Sequence, residues 1–484
     1  MVRSASQLPV NYIPRVNTQQ FSRQHWPIWI AVIVFALWRA WAATFMPFFW
    51  DAPLGLLEPA QYLYTNGLQH LIFPQNLIAE PPLLPLLLAM LWKLVGVNMW
   101  SCHALMAAFT LGAVFQIGKL AQKFSSPQQL PWILLLVFSE ATWVALSQHL
   151  SPDLALVFFG VLAINALHAG RFKTLTFAGV CLSMLSVRGE ITLLGIGFGS
   201  LAWNLWAKRN LHETITLRWC LKLLAPYLPA LSAAILFWIV RKFTLGHFYF
   251  DPGYISIQDR AVVPLQKMVR NVAVMAWRFT DMGRIAYWIV LCVTVGLYRK
   301  KMLVWLRQNA QAAFYLFGIF LALLPFTLPF SNPFCTRYFL MQFILGLILL
   351  GKLILDFLPR KSAIAAILFM VIASWSAHLV MLPIGVSRAW DGTLATLIYF
   401  DQVKEAQRFF KEHHIALEQV GFDHTEKTTG IDLFHDRRES DRYAIISHVQ
   451  NPSDQTLDSM DHYWEPIADL TEFGLQTRIY RRIR

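Results

Sequence analysis

The sequence predicts an all-α polytopic membrane protein with a small α/β domain at its C-terminal end. Three observations predict it. The 484 residues are 56% hydrophobic and only 14% charged, more apolar side chain than a water-soluble fold of this length hides. Apolar runs close to the roughly 17–25 residues of a bilayer span recur along the chain. The part after about residue 388 is polar and mixed in charge.

The apolar runs lie near 27–50, 81–96, 99–118, 131–148, 152–169, 174–187, 190–206, 219–240, 285–298, 310–330, 338–356 and 362–383. About 25 polar residues with Arg3, Arg15 and Arg23 precede the first, with no small-residue cleavage site after it. That pattern reads as a retained helix with a cytoplasmic segment 1–26 before it. Basic residues then set the sidedness. The loop 51–80 has no Lys or Arg and is expected outside. Lys119 and Lys123, Arg171 and Lys173, Lys208 and Arg209, Arg299 to Lys301, and Arg360 with Lys361 are expected inside. Parity then allows one crossing where 81–96 and 99–118 offer two. The first is short and holds Pro81, Pro82 and Pro85, so about eleven crossings are expected of eleven to twelve embedded helices. Residues 27–387 form the membrane domain, with outer loops 51–80 and 242–284, and 388–484 form an outer domain.

The net charge of +13 belongs to the inner loops of a plasma (inner) membrane protein. No nucleic-acid module is visible. The five Cys form no CxxC and no metal-ligand spacing, which excludes a zinc or disulfide framework. No phosphate-binding loop, GxSxG or HExxH occurs.

The charged residues that remain fall on the face expected to be outer. Asp51, Glu58 and Glu80 lie in the first loop with no local cation, where Tyr62 and several Leu suggest interfacial helices. They are solvated loop acids or functional ones. Asp153 in "LSPDLALVFF" is an ordinary helix-start acid or a site residue. In "LSVRGEITLL", Arg188 and Glu190 interrupt an apolar stretch, either as a neutralised turn or as part of a site. In "NPFCTRYFL", Arg337 is an interfacial anchor with Tyr338 or a phosphate clamp. Arg39, inside the first run, either meets a buried acid or snorkels.

Four groups of segments, in this order and spacing, carry a family likeness: "LLEPAQYLYTNGLQHLIFP"; "AEPPLLPLLLAMLWKLVG", the most specific; "LSPDLALVFFGVLAI"; and "LSVRGEITLLG" with "NPFCTRYFL". Over roughly residues 25–360 the chain resembles the GT-C superfamily of integral-membrane glycosyltransferases. Within it, the likeness is to the protein-mannosyltransferase-like branch that includes the lipid A aminoarabinose transferases. The resemblance implies a sugar moved from a polyprenyl-phosphate donor to an acceptor (protein, lipid or glycan) at the outer face. It implies a carboxylate base. The family carries Asp-Glu where this chain has Leu57-Glu58, so Glu58 is the expected base and Asp51 its alternative. Arg337 and Arg188 are the expected phosphate ligands, with Glu190 and Tyr62 as further substrate contacts. An optional divalent ion, Mg or Mn, falls to Asp153 and Glu80. A lipid or small-molecule transporter, or a GT-C scaffold of altered activity, are the competing readings. A transporter places its polar residues near the bilayer midplane, not at helix ends.

Overall fold

The computed structural model describes residues 25–44, 53–74, 77, 80–210, 212, 214–246, 262–330, 335–379, 392–422, 435–436, 441–447, 463–470 and 477–483. Asp51, most of the 1–26 segment, and residues 247–261 of the second outer loop lie outside these.

The first helix, α1 (Trp26–Ala42), leads to a π-helical turn, Pro53–Leu57, and α2 (Glu58–Asn66). Next comes α3 (Leu83–Val95), whose 13 residues span about 20 Å at 1.5 Å per residue. That is short of a bilayer core of about 30 Å, as its prolines suggested. Then follow α4 (Met99–Phe124), α5 (Leu130–Phe138), α6 (Ala141–Leu146), α7 (Pro152–His168), α8 (Phe172–Ser183) and α9 (Val187–Asn210). A short amphipathic α10 (Leu217–Leu224) precedes α11 (Leu228–Leu245) and α12 (Leu265–Arg278). The last membrane elements are α13 (Ile285–Gln308), α14 (Ala310–Leu323), α15 (Leu340–Phe357) and α16 (Arg360–Ser376).

Among the described residues, three helical stretches are each long and apolar enough to cross a membrane alone: Met99–Phe124, Leu217–Leu245 and Thr336–Phe357. A fourth span counts if α13 and the helix after it are taken together across their 81° bend. Trp26–Ala42, Leu83–Val95, Pro152–His168 and Phe172–Ser183 are apolar but shorter. The run expected over 131–148 is the clearest correction. It is two helices, split at Ser139–Glu140, where the Glu140 carboxylate accepts a hydrogen bond from the Trp143 backbone N–H at 2.8 Å and starts α6.

Contacts sort the helix ends into two groups. Glu80, Asp153, Val187, Arg188 and Arg337 meet at one end. At the other, Asp356 accepts from Gln129 and Trp305, both at 2.9 Å, and Lys123 reaches the Asn165 carbonyl at 3.2 Å. Lys123, bonded to Asn165, therefore lies toward the end of α7 opposite to Asp153.

The closest helix pair is α9 against α14. A Cβ on Gly195 would lie 2.4 Å from the Ile319 Cα, one on Gly199 2.5 Å from the Phe314 carbonyl, and one on Gly318 2.4 Å from the Gly195 carbonyl. Small residues four apart let two backbones touch inside a membrane domain. This seam matters for the site: α9 carries Arg188 in its first turn, and α14 leads toward the turn that holds Arg337.

The C-terminal part forms a helix, α17 (Ala395–Glu412), and the strands β1 (Val420–Phe422), β2 (His435–Asp436), β3 (Tyr443–Ser447), β4 (Trp464–Asp469) and β5 (Thr477–Arg482). The order is β2-β1-β3-β5-β4, with β1 parallel to its neighbours and β5 antiparallel to β3 and β4. Tyr399, Val403, Ala406 and Phe410 of α17 bury against Val420, Ile445 and Ile479. Ala42, the last residue of α1, is fully buried in the same cluster, so this domain rests on the end of the first helix.

Candidate functional site

Three helix starts build the site. Ser151 caps α7: its hydroxyl donates to Asp153 Oδ2 at 2.9 Å and accepts from the Asp153 N–H at 3.3 Å. Capping holds Asp153 in the first turn, where the helix dipole favours a carboxylate. Arg188, in the first turn of α9, forms an ion pair with Asp153 Oδ1. Arg337, in a 3-10 turn (Thr336–Phe339) before α15, places Nε 3.8 Å from Asp153 Oδ2. The Tyr338 ring underlies both cations, 4.6 Å from the Arg188 guanidinium and 5.8 Å from that of Arg337.

These four side chains face a small cleft, whose remaining wall is largely apolar and includes Ile191, Leu323 and Met341. Two guanidiniums and one carboxylate leave one net positive charge. That excess charge suits an anionic group presented to the cleft.

Glu80 sits at the edge. Its Oε2 accepts from the Val187 N–H at 3.2 Å and so orders the turn before Arg188. Gly189 is required there, because a Cβ would lie 2.1 Å from the Leu182 carbonyl. Glu190 turns away and accepts from the Trp238 indole N–H on α11 at 2.8 Å. The expectation of a turn neutralised by Arg188 with Glu190 is therefore corrected. Val187 to Glu190 is the first helical turn of α9, and the partner of Arg188 is Asp153, 35 residues away.

Glu58 and Tyr62 do not line this cleft. Glu58 opens α2 and is half-buried, beside Leu57, which is 1% exposed in the main core. Tyr62 packs edge-on against Phe73 and His70, each at 6.3 Å. Arg39 meets no acid among the described residues. It is buried and donates to the carbonyls of Ser147 (3.0 Å), His149 (3.1 Å) and His103 (3.4 Å). Among the described residues no group of three or more His, Cys, Asp or Glu could hold a metal ion. Asp153 faces two guanidiniums and Glu80 caps a helix, so this pair as placed does not fit a divalent ion.

No family model and no curated protein matches the chain. Solved structures do. The apo state of ArnT from Cupriavidus metallidurans is similar at a TM-score of 0.51, with 12% identity, over 93% of this chain and 97% of that one. The fold is GT-C. The same ArnT bound to undecaprenyl phosphate is similar at a TM-score of 0.48, with the same identity and coverage. At 12% identity the likeness concerns the architecture.

Within this fold lies a second charged cluster that no sequence motif marked. The Arg284 guanidinium pairs with Glu140 and with Asp281 (3.0 Å), donates to Thr142 Oγ1 at 2.5 Å, and lies 4.0 Å from the centre of the Phe343 ring. Asp281 also pairs with Arg278 at 3.2 Å. All four charged side chains are 5% exposed or less. The network ties the α5–α6 break to the turn between α12 and α13, and to α15 behind Arg337. An acid inside the apolar run "LLLVFSEATWVAL" was its one available sequence signal.

Proposed function

We propose that the protein transfers a sugar from a polyprenyl-phosphate donor to an acceptor at the outer face of the membrane. The observation that carries this reading is the paired Arg188 and Arg337 at the head of an apolar-walled cleft in a GT-C fold. A lipid phosphate needs that combination: forked cationic donors for the phosphate and apolar wall for the chain. The position of these charges at helix ends favours an enzyme acting at the membrane surface over a transporter.

The chemistry follows as a single displacement with inversion. The acceptor hydroxyl attacks the anomeric carbon while a carboxylate takes its proton. The lipid phosphate leaves, and Arg188 and Arg337 stabilise its growing charge. Glu58 is the base in this reading, with Asp51 as the alternative. Acceptor and sugar must enter from the α2 side, because Glu58 does not line the cleft itself.

Glu58→Gln is expected to lower transfer by about 10²- to 10⁴-fold, while the protein still folds and binds donor. Radiolabelled polyprenyl-phosphate sugars offered to the purified protein measure this. Full activity in Glu58→Gln together with an inactive Asp51→Asn assigns the base to Asp51. Translocation of the lipid without transfer makes the protein a flippase, and neither event makes it a non-catalytic scaffold.

The topology is part of the proposal: the N-terminus cytoplasmic, the 388–484 domain outside, in the plasma membrane. A phosphatase reporter fused after Arg484 is expected to be active, as it is only outside the cytoplasm. A silent phosphatase with an active cytoplasmic reporter at the same place reverses the assignment.

A further inference from the structure

Arg39 buries a positive charge in the last turn of α1, 2% exposed, and among the described residues backbone carbonyls alone receive it. A guanidinium out of water is costly unless its donors are engaged. Two of the carbonyls it engages lie on the connection between α6 and α7. Nη1 donates to Ser147 at 3.0 Å and to His149 at 3.1 Å, while Nη2 donates to His103 of α4 at 3.4 Å. Ser147 is the residue at which α6 ends, where helix carbonyls lack internal partners and a cation is favoured. Residues 147–151 are all buried, so bulk water does not supply the missing donors. The neighbouring Trp38 adds a second grip, its indole N–H donating to Ser147 Oγ at 3.0 Å.

This connection bears on both halves of the cleft. It runs directly into Ser151, which caps α7 and orients Asp153. Helix α6 itself packs against the 3-10 turn Thr336–Phe339 that carries Arg337. The start of α6 is held by Glu140 through Arg284, and its end is held by Arg39.

We propose that Arg39 is a positioning residue for the cleft. By pinning the Ser147 and His149 carbonyls it sets where Asp153 stands, and with Asp153 the Arg188 and Arg337 guanidiniums. The inference rests on the reading of the cleft as a lipid-phosphate site. Arg39 does not line the cleft, so it acts through geometry alone. Without it, two carbonyls are orphaned in a buried segment, and the connection must shift to find other donors. Asp153 lies four residues beyond His149 and moves with it. Both guanidiniums follow the carboxylate they share. Forked recognition of a phosphate tolerates little change in that spacing. A purely structural arginine would lower stability and leave the affinity of the folded protein alone.

Dodecyl phosphate, titrated calorimetrically into the full chain in nanodiscs with empty nanodiscs as the blank, tests this. Arg39→Met is expected to bind it about tenfold more weakly than the wild type. Arg39→Lys is expected to lie between, about threefold weaker, because an ammonium replaces Nη1 but not Nη2 as well. Ile354→Ala, a cavity in the core at the Asp356 end of α15, controls for general loosening. Its unfolding midpoint should fall while its affinity stays at the wild-type value. In an Arg337→Ala background, Arg39→Met should cost less than in the wild type, since one of the groups it positions is gone. Wild-type affinity in Arg39→Met, an equal loss in Ile354→Ala, or an undiminished loss on top of Arg337→Ala overturns the inference. If Arg39→Met does not fold, Arg39→Lys decides, and affinity equal to the wild type overturns it. A wild type that does not bind dodecyl phosphate removes the phosphate reading itself, and the inference with it.

Discussion

Arg337→Ala is expected to slow sugar transfer by about 10²- to 10³-fold with little change in folding. The side chain lies in the cleft wall, 7% exposed, on a turn that the α15 start holds in place. Its removal takes one of two cations from the position where the leaving phosphate gathers charge. Asp153 keeps Arg188 as a partner, so no carboxylate is stranded. Arg337→Lys should recover only part of the rate, because an ammonium does not reproduce the planar fork of a guanidinium. Initial rates with a labelled lipid-linked sugar measure both variants. A rate within twofold of wild type for Arg337→Ala, in a folded protein, takes Arg337 out of the mechanism.

Glu140→Ala is expected to cost about 3 kcal/mol of stability, as breaking a buried pair typically does. Glu140 is fully buried and does two jobs. One oxygen pairs with Arg284, and the other caps α6 through the Trp143 N–H. Its loss leaves Arg284 with one carboxylate, Asp281, which Arg278 already shares. Glu140→Gln keeps the cap and should cost less. Replacing Glu140 and Arg284 together by Gln should cost less than the sum of the single changes, since neither charge is then stranded. Thermal unfolding in detergent compares the wild type, Glu140→Ala, Glu140→Gln, Arg284→Gln and the double variant. An unchanged midpoint for Glu140→Ala contradicts the role given to the network. Because this network ends behind α15, the variant also tests whether the bundle behind Arg337 depends on it.

Much of the architecture was legible in the chain. Apolar runs with basic loops between them located the helices, because a bilayer imposes length and polarity on each segment separately. The short, proline-rich α3 was legible for the same reason. The polar part after about residue 388 was legible as a separate α/β domain, and it holds α17 and the five-stranded sheet. Strands β4 and β5 went unseen: one holds Pro466 beside an irregularity, and the other is half charged. The Gly195–Gly199–Gly318 contact also escaped, since a glycine seam shows its purpose only when its partner helix is known.

The candidate site was legible residue by residue but not as an arrangement. Asp153, Arg188 and Arg337 each stood out as charges at the ends of apolar runs. Their convergence did not, and the nearest acid to Arg188 in sequence, Glu190, proved to serve Trp238. Glu140 was absorbed into a supposed span because an average over many apolar residues hides one acid.

The sequence by itself determined that this protein lives in a membrane, roughly which apolar runs become helices, and which charges stand between those runs. The cost of placing a segment in lipid is a sum over that segment, so it can be read along the chain. Only the tertiary structure decided that Asp153 holds Arg188 and Arg337, that Glu80 caps a helix, and that Arg284 is buried against Glu140. An ion pair depends on where two helix ends meet, and helix packing, not sequence distance, sets that.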